Sequence, residues 1–122
     1  MAKKEAIGPK DLWDKPLILS RQHRAGSALS MWLKREEADL NIVATYSLLY
    51  NGSILVDEGL GYAITLDKII NTQGGNLCFR PLIPTLQAGL CVVWKKYQVL
   101  TKASELFLNT LQSNLETAES EA

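Results

Sequence analysis

The stretch IVATYSLLYNGSILVDEGLGYAITL, Ile42 to Leu66, decides the fold. IVATY is a β-branched run of the kind that fits a pleated, half-buried surface, and it reads as a strand. Ser47 stands where a helix N-cap belongs, and Leu48, Leu55 and Val56 share one face of a helix running through Glu58. Gly59 supplies the left-handed residue that ends such a helix. YAITL, Tyr62 to Leu66, is then the next strand. Gly59-Leu60-Gly61 invites a phosphate-loop reading, which its polarity excludes. A dinucleotide fingerprint follows a strand and opens a helix whose N–H groups face the pyrophosphate. Here the glycines follow a helix and lead into a strand, and Ile64 occupies the place of the third glycine.

The same alternation extends outward in both directions. Upstream, PLILS (Pro16 to Ser20) is a short apolar run with proline at its entry, where no ladder donor is lost, and it predicts a buried strand. From Ala25 to Ala38, Leu29, Trp32 and Leu33 fall at helical spacing with Lys34, Arg35, Glu36 and Glu37 facing outward. Downstream, a short helix is expected at Asp67 to Asn71, followed by a turn at NTQGGN. LCFRPL and GLCVVWKK read as two further strands. Thr101 caps a last helix on which Ala103, Leu106, Phe107, Thr110, Leu111 and Leu115 form an apolar stripe, and the acidic tail ETAESEA is expected to fray. Strands alternating with helices imply parallel pairing. The expected class is α/β, a Rossmann-like open, mostly parallel sheet flanked by helices. The final stripe is long for so small a sheet, which marks the fold as part of something larger.

With 122 residues, 47% of them hydrophobic and 21% charged, the chain is long enough for one packed domain. Thirteen basic and thirteen acidic residues cancel, and the basic ones are scattered, so the composition argues against a nucleic-acid surface on this stretch. No run approaches the roughly 20 apolar residues of a membrane span. The N-terminal MAKKEAIGPKDLWDKP lacks the apolar centre of an export signal, so a cytoplasmic setting is expected, with no membrane partner. Cys78 and Cys91 lie in apolar runs without metal-ligand spacing and are expected as buried thiols.

Catalytic constellations are missing from the sequence. His23 is the only histidine, has no carboxylate or cysteine at ligand spacing, and reads as an exposed loop residue; no G-x-S-x-G elbow surrounds a serine. No enzyme activity, metal or cofactor is expected. What remains is positional: open α/β sheets bind ligands beyond the carboxyl ends of their strands. Those ends are Ser20, Arg21 and Gln22, then Thr45, Tyr46 and Ser47, and after them Thr65 and Leu66. Hydroxyls, an amide and a guanidinium are the groups that orient a small anion such as a carboxylate.

These residues also match a family. AKKEAIGPKDLWDKPLILS, the V-x-x-G-L-G within IVATYSLLYNGSILVDEGLGYAITL, and the closing LCFRPLIP and GLCVVWKKYQVLTKASELFLNTL resemble, in order and spacing, the C-terminal part of the effector-binding domain of LysR-type transcriptional regulators. The resemblance implies the second regulatory subdomain of a type-two periplasmic-binding-protein-like fold, in which two α/β subdomains enclose an effector cleft. It implies that residues 1–88 form that subdomain with its entry segment and return strand. Residues 89–117 would be a crossover strand and a helix packing on an absent first subdomain, and 118–122 a tail. The DNA-binding domain and most of the first subdomain are expected to be missing. Effector contacts carry over to Ser20, Arg21, Gln22, Thr45, Tyr46, Ser47, Tyr62 and Ala63. Leu66 departs from the family, where proline often ends this strand. A homo-oligomer is implied, a dimer or tetramer in the full-length protein, with Ala28, Met31 and Arg35 as interface candidates and DNA contacted only through the missing domain. Two rivals share the architecture or its class: a solute-binding protein of transport, which predicts an export signal, and a small α/β enzyme using hydroxyls beside His23.

Overall fold

A computed structural model describes residues 1–23, 27–89 and 91–121. They fall into two compact units, Met1–Ala88 and Gly89–Ala122. In the first unit the elements run α1 (Pro9–Leu12), β1 (Leu17–Ser20), α2 (Ala28–Leu33), a 3-10 turn (Glu37–Asp39), β2 (Ile42–Tyr46), α3 (Leu49–Asp57) and β3 (Tyr62–Ala63). The sheet is parallel throughout, in the order β2-β1-β3. The fold is therefore α/β with a small open parallel sheet, as the strand–helix alternation predicts.

β1 is the centre of the unit. Leu17, Ile18 and Leu19 are all buried, which is what a parallel strand covered on both faces requires. Ile7, Leu12 and Leu33 join Leu17 and Leu19 in the core, with Leu29, Trp32, Leu40, Ile42, Ile64 and Leu82 packed against them. Each fully buried leucine contributes roughly 1.5–3 kcal/mol relative to exposure.

α2 ends at Leu33, well short of Ala38; its expected start at Ala25 lies outside the described residues. Two causes stop it. Lys34 turns left-handed, at φ 55°, and the Trp13 indole N–H donates to the Leu33 carbonyl at 2.8 Å. The Arg35 guanidinium then lies 4.2 Å above the Trp13 ring. Trp32 likewise uses its indole N–H, which donates to the Pro84 carbonyl at 2.6 Å.

The β2–α3–β3 unit forms with two differences. The N-cap of α3 is Leu48, without a side-chain bond, because Ser47 Oγ is turned to Arg21 instead. At the other end Gly59, at φ 81°, donates to Val56 O at 2.9 Å while Leu60 N–H donates to Leu55 O at 3.0 Å, the paired bonds of a Schellman motif. Gly61 is fixed by close approach: a Cβ there would lie 2.6 Å from the Pro16 carbonyl oxygen. β3 covers only Tyr62–Ala63 of the expected Tyr62–Leu66.

Beyond β3 the sequence reading needs correction. Asp67–Asn71 is a turn around a left-handed Lys68, at φ 62°, and no helix. NTQGGN turns as expected, Asn71 Oδ1 accepting the Gln73 N–H at 2.9 Å and Gly74 adopting φ 74°. LCFRPL makes no strand: Pro81 offers no N–H, and one parallel bridge joins Leu82 to Ile7. Arg80 secures this segment by donating to the carbonyls of Ala2 and Lys4. In the second unit the described residues of GLCVVWKK form no strand, Lys96 enters a turn with Tyr97, and Leu90 lies outside the described residues. Cys78 and Cys91 are accordingly exposed free thiols, contrary to the expected burial, because neither run reaches a sheet interior. α4 (Lys102–Glu121) is capped by Thr101, whose Oγ1 accepts the Ser104 N–H at 3.2 Å, and it continues helically through the acidic tail to Glu121.

Candidate functional site at the strand ends

Because β1 lies between β2 and β3, the connection from β1 to β2 and the one from β2 to β3 carry the chain to opposite sides of it. The crevice between the carboxyl ends of β1 and β3 is thus the topological switch point of the sheet. The register pairs Ser20 with Tyr46 on one side, and Leu17 with Tyr62 and Ile18 with Ala63 on the other.

Beside this point, at the carboxyl ends of β1 and β2, the structure gathers most of the predicted residues. Ser20 is half-buried, and its Oγ accepts the Gln22 N–H at 3.2 Å, bending the chain off the strand. Arg21 N–H donates to the Tyr46 carbonyl at 2.9 Å, which extends the β1–β2 ladder one position past Ser20. The Arg21 side chain then reaches Ser47, its Nη1 3.5 Å from Ser47 Oγ. Both side chains are exposed at the edge, so two residues 26 positions apart present a guanidinium and a hydroxyl side by side. Thr45 is exposed one residue before the end of β2. Tyr46 is half-buried, and its hydroxyl donates to the Ile64 carbonyl at 2.8 Å.

Tyr62 and Ala63 lie elsewhere. They pair with Leu17 and Ile18, so Tyr62 sits three residues, about 10 Å, below the strand end. They line an open hollow of about 550 Å³ along the outer edge of β3, together with apolar residues such as Val56, Ile64, Leu66 and Phe79. None of Ser20, Arg21, Gln22, Thr45, Tyr46 and Ser47 lines that hollow. The residue level with Ser20 on the β3 side is Thr65, by continuation of the register, one of the strand-end residues expected from the sequence. Ile64 and Thr65 line the same hollow as Tyr62 and Ala63.

His23 is half-buried and not a free loop residue as expected. Its Nδ1 is 3.2 Å from Ser27 Oγ and its Nε2 3.4 Å from the buried Ser30 hydroxyl. It ties the loop after β1 to the first turn of α2, and among the described residues no carboxylate bonds to it. Of the interface candidates, Ala28 and Met31 are exposed on α2, Met31 at 74%. Arg35 lies past the end of that helix and is engaged with Trp13.

The polar cluster thus stands at the carboxyl ends of β1 and β2 in a parallel α/β sheet. The family model of the LysR substrate binding domain matches residues 1–116, and the chain belongs to that family. This is a regulatory, effector-binding family and not a catalytic one. No curated protein and no solved structure matches the chain. No helix among the described residues is long and apolar enough to cross a membrane.

Proposed function

We propose that this chain senses a small anionic effector, with a carboxylate as the favoured head group, as part of a LysR-type transcription regulator. The observation that carries the reading is the convergence of Arg21 and Ser47, 3.5 Å apart, at the carboxyl ends of β1 and β2 beside Ser20. A guanidinium offers paired N–H donors to a carboxylate, and charge-assisted bonds of this kind are about twice as strong as neutral ones. Gln22 and the Ser20 hydroxyl add neutral polar groups, and Thr65 sits at the same level across the crevice. DNA is contacted by a separate domain of the regulator, in keeping with the balanced charge of this chain. The regulator works as a homo-oligomer in the cytoplasm, with the exposed Ala28 and Met31 face of α2 as a contact surface, and this chain catalyses no reaction.

Titration of the labelled protein with sodium acetate and sodium benzoate, followed by ¹H–¹⁵N NMR, tests the site. The amides of Arg21 and Ser47 are expected to shift with saturation in the millimolar range, about 4 kcal/mol of binding. The Arg21→Gln variant is expected to lose the response while keeping a dispersed spectrum. Equal shifts in that variant would place the anion elsewhere.

A further inference from the structure

The β1–β3 ladder contains an irregularity at the proposed site. Ile64 continues the pairing with its N–H, which donates to the Ile18 carbonyl at 3.2 Å. In an evenly spaced parallel ladder the carbonyl of such a residue next receives the N–H two positions along the partner strand. For Ile64 that donor is Ser20. The bond its carbonyl accepts comes instead from the Tyr46 hydroxyl, at 2.8 Å. Tyr46 belongs to β2, on the far side of β1, so its side chain crosses the end of the central strand to reach β3.

The path of that side chain is prepared from α3. A Cβ on Gly52 would lie 2.9 Å from Tyr46 Cδ1 and 3.0 Å from Cγ, so only glycine leaves the ring its place. A phenol needed merely to fill space would be served by its ring. Here the hydroxyl takes an acceptor that a backbone donor stands ready to use. No bond runs from the Ser20 N–H to that carbonyl, which leaves the donor open next to Arg21.

We infer that Tyr46 is a positioning residue of the effector site: by holding the Ile64 carbonyl it keeps the Ser20 backbone N–H open as a donor to an oxygen of the bound anion. The inference rests on the effector reading above and adds an atom to it. Backbone N–H groups bond anions by the same charge-assisted interaction as side-chain donors. The consequence has an unusual sign. Removing the hydroxyl returns the Ile64 carbonyl to the ladder, so Ser20 becomes better protected while the site loses a donor.

Amide hydrogen exchange measured by NMR on the wild-type chain and on Tyr46→Phe, without ligand, tests the first half. In the wild type the Ser20 amide is expected to exchange at least about tenfold faster than that of Arg21, which is bonded to the Tyr46 carbonyl at 2.9 Å. In Tyr46→Phe the Ser20 amide is expected to slow by about tenfold while its neighbours hold or quicken. A purely structural tyrosine predicts the opposite, faster exchange at Ser20 together with its surroundings, and that result or an unmoved Ser20 overturns the inference. If Tyr46→Phe does not fold, the wild type alone decides, since a Ser20 amide as protected as that of Arg21 overturns it. Acetate titration tests the second half: the Ser20 amide shifts in the wild type and loses that response in Tyr46→Phe. Silence of Ser20 while Arg21 and Ser47 respond defeats the donor role and leaves the effector site standing. Silence of all three defeats both, and the exchange data still report whether Tyr46 holds Ile64.

Discussion

The units Met1–Ala88 and Gly89–Ala122 each carry a β-branched, apolar run, and they use it differently. IVATY in the first becomes β2, hydrogen-bonded along β1 and half-buried at alternate positions. CVVW in the second, Cys91 to Trp94, forms no strand among the described residues, its Val93 85% exposed. The local preference is the same; the difference is a neighbour. A strand is a two-body structure, because its N–H and C=O groups and its side chains are satisfied only by what lies beside it. A helix satisfies its backbone within itself, so α4 forms in the second unit although Leu106 and Phe107 remain more than half exposed.

The comparison breaks most readily at β1. Leu19→Ala, at a fully buried position, is expected to cost about 2–5 kcal/mol and to unfold much of the first unit, read as a lower urea midpoint. Gly61→Ala drives a Cβ to 2.6 Å from the Pro16 carbonyl oxygen and is expected to cost about 1–3 kcal/mol, with loss of the Tyr62 N–H bond to Pro16 in exchange measurements. In the second unit Thr101→Ala removes the cap of α4 and is expected to cost about 1 kcal/mol, visible as fraying of the first turn in Cα chemical shifts. Val93→Thr sharpens the contrast from the other side. A β-branched residue replaces another at an exposed position, and the urea midpoint is expected to stay within about 0.5 kcal/mol of wild type.

The smallest effect concerns pH. Asp11 is held below the usual carboxylate range, first by the hydrogen bond from Lys4 and then by the Gly8 N–H, which donates at 2.9 Å. A folded-state value depressed in this way contributes stability above the unfolded value of about 3.9, and the contribution is lost as pH falls through the folded value. Acidification below about pH 4 is therefore expected to release the cap of α1, with quicker exchange of the Gly8 amide. Asp11→Asn is expected to remove that pH dependence. The carboxylate is solvent-facing, so the change stays local.

What could be read from residues alone follows the same physical division. β1 at LILS, β2 at IVATY, the glycine that ends α3 and the threonine that opens α4 are set by neighbours within a few positions, and each stands where its local pattern puts it. The departures have distant causes. α2 stops early where the indole of Trp13, 20 residues away, takes the Leu33 carbonyl. Ser47 fails to cap α3 because Arg21 claims it across 26 residues. β3 is cut short where Tyr46, 18 residues away, takes over the Ile64 carbonyl. At the candidate site, the strand-end rule points to Ser20, Arg21, Tyr46 and Ser47, which lie together at the ends of β1 and β2, and to Thr65, level with Ser20. Tyr62 and Ala63, which the family resemblance adds, pair lower on β1, a matter of register that composition does not encode.

Arg80 carries a consequence for the order in which the first unit assembles. Its guanidinium holds carbonyls of Ala2 and Lys4, 78 and 76 residues back along the chain. Closing so long a loop is entropically disfavoured until the intervening sheet has shortened the gap. During synthesis residues 2–4 are therefore among the last of this unit to be tied down, waiting for residue 80 to leave the ribosome. At about 5–20 residues per second that is a delay of several seconds, an interval in which the N-terminal segment is open to other contacts.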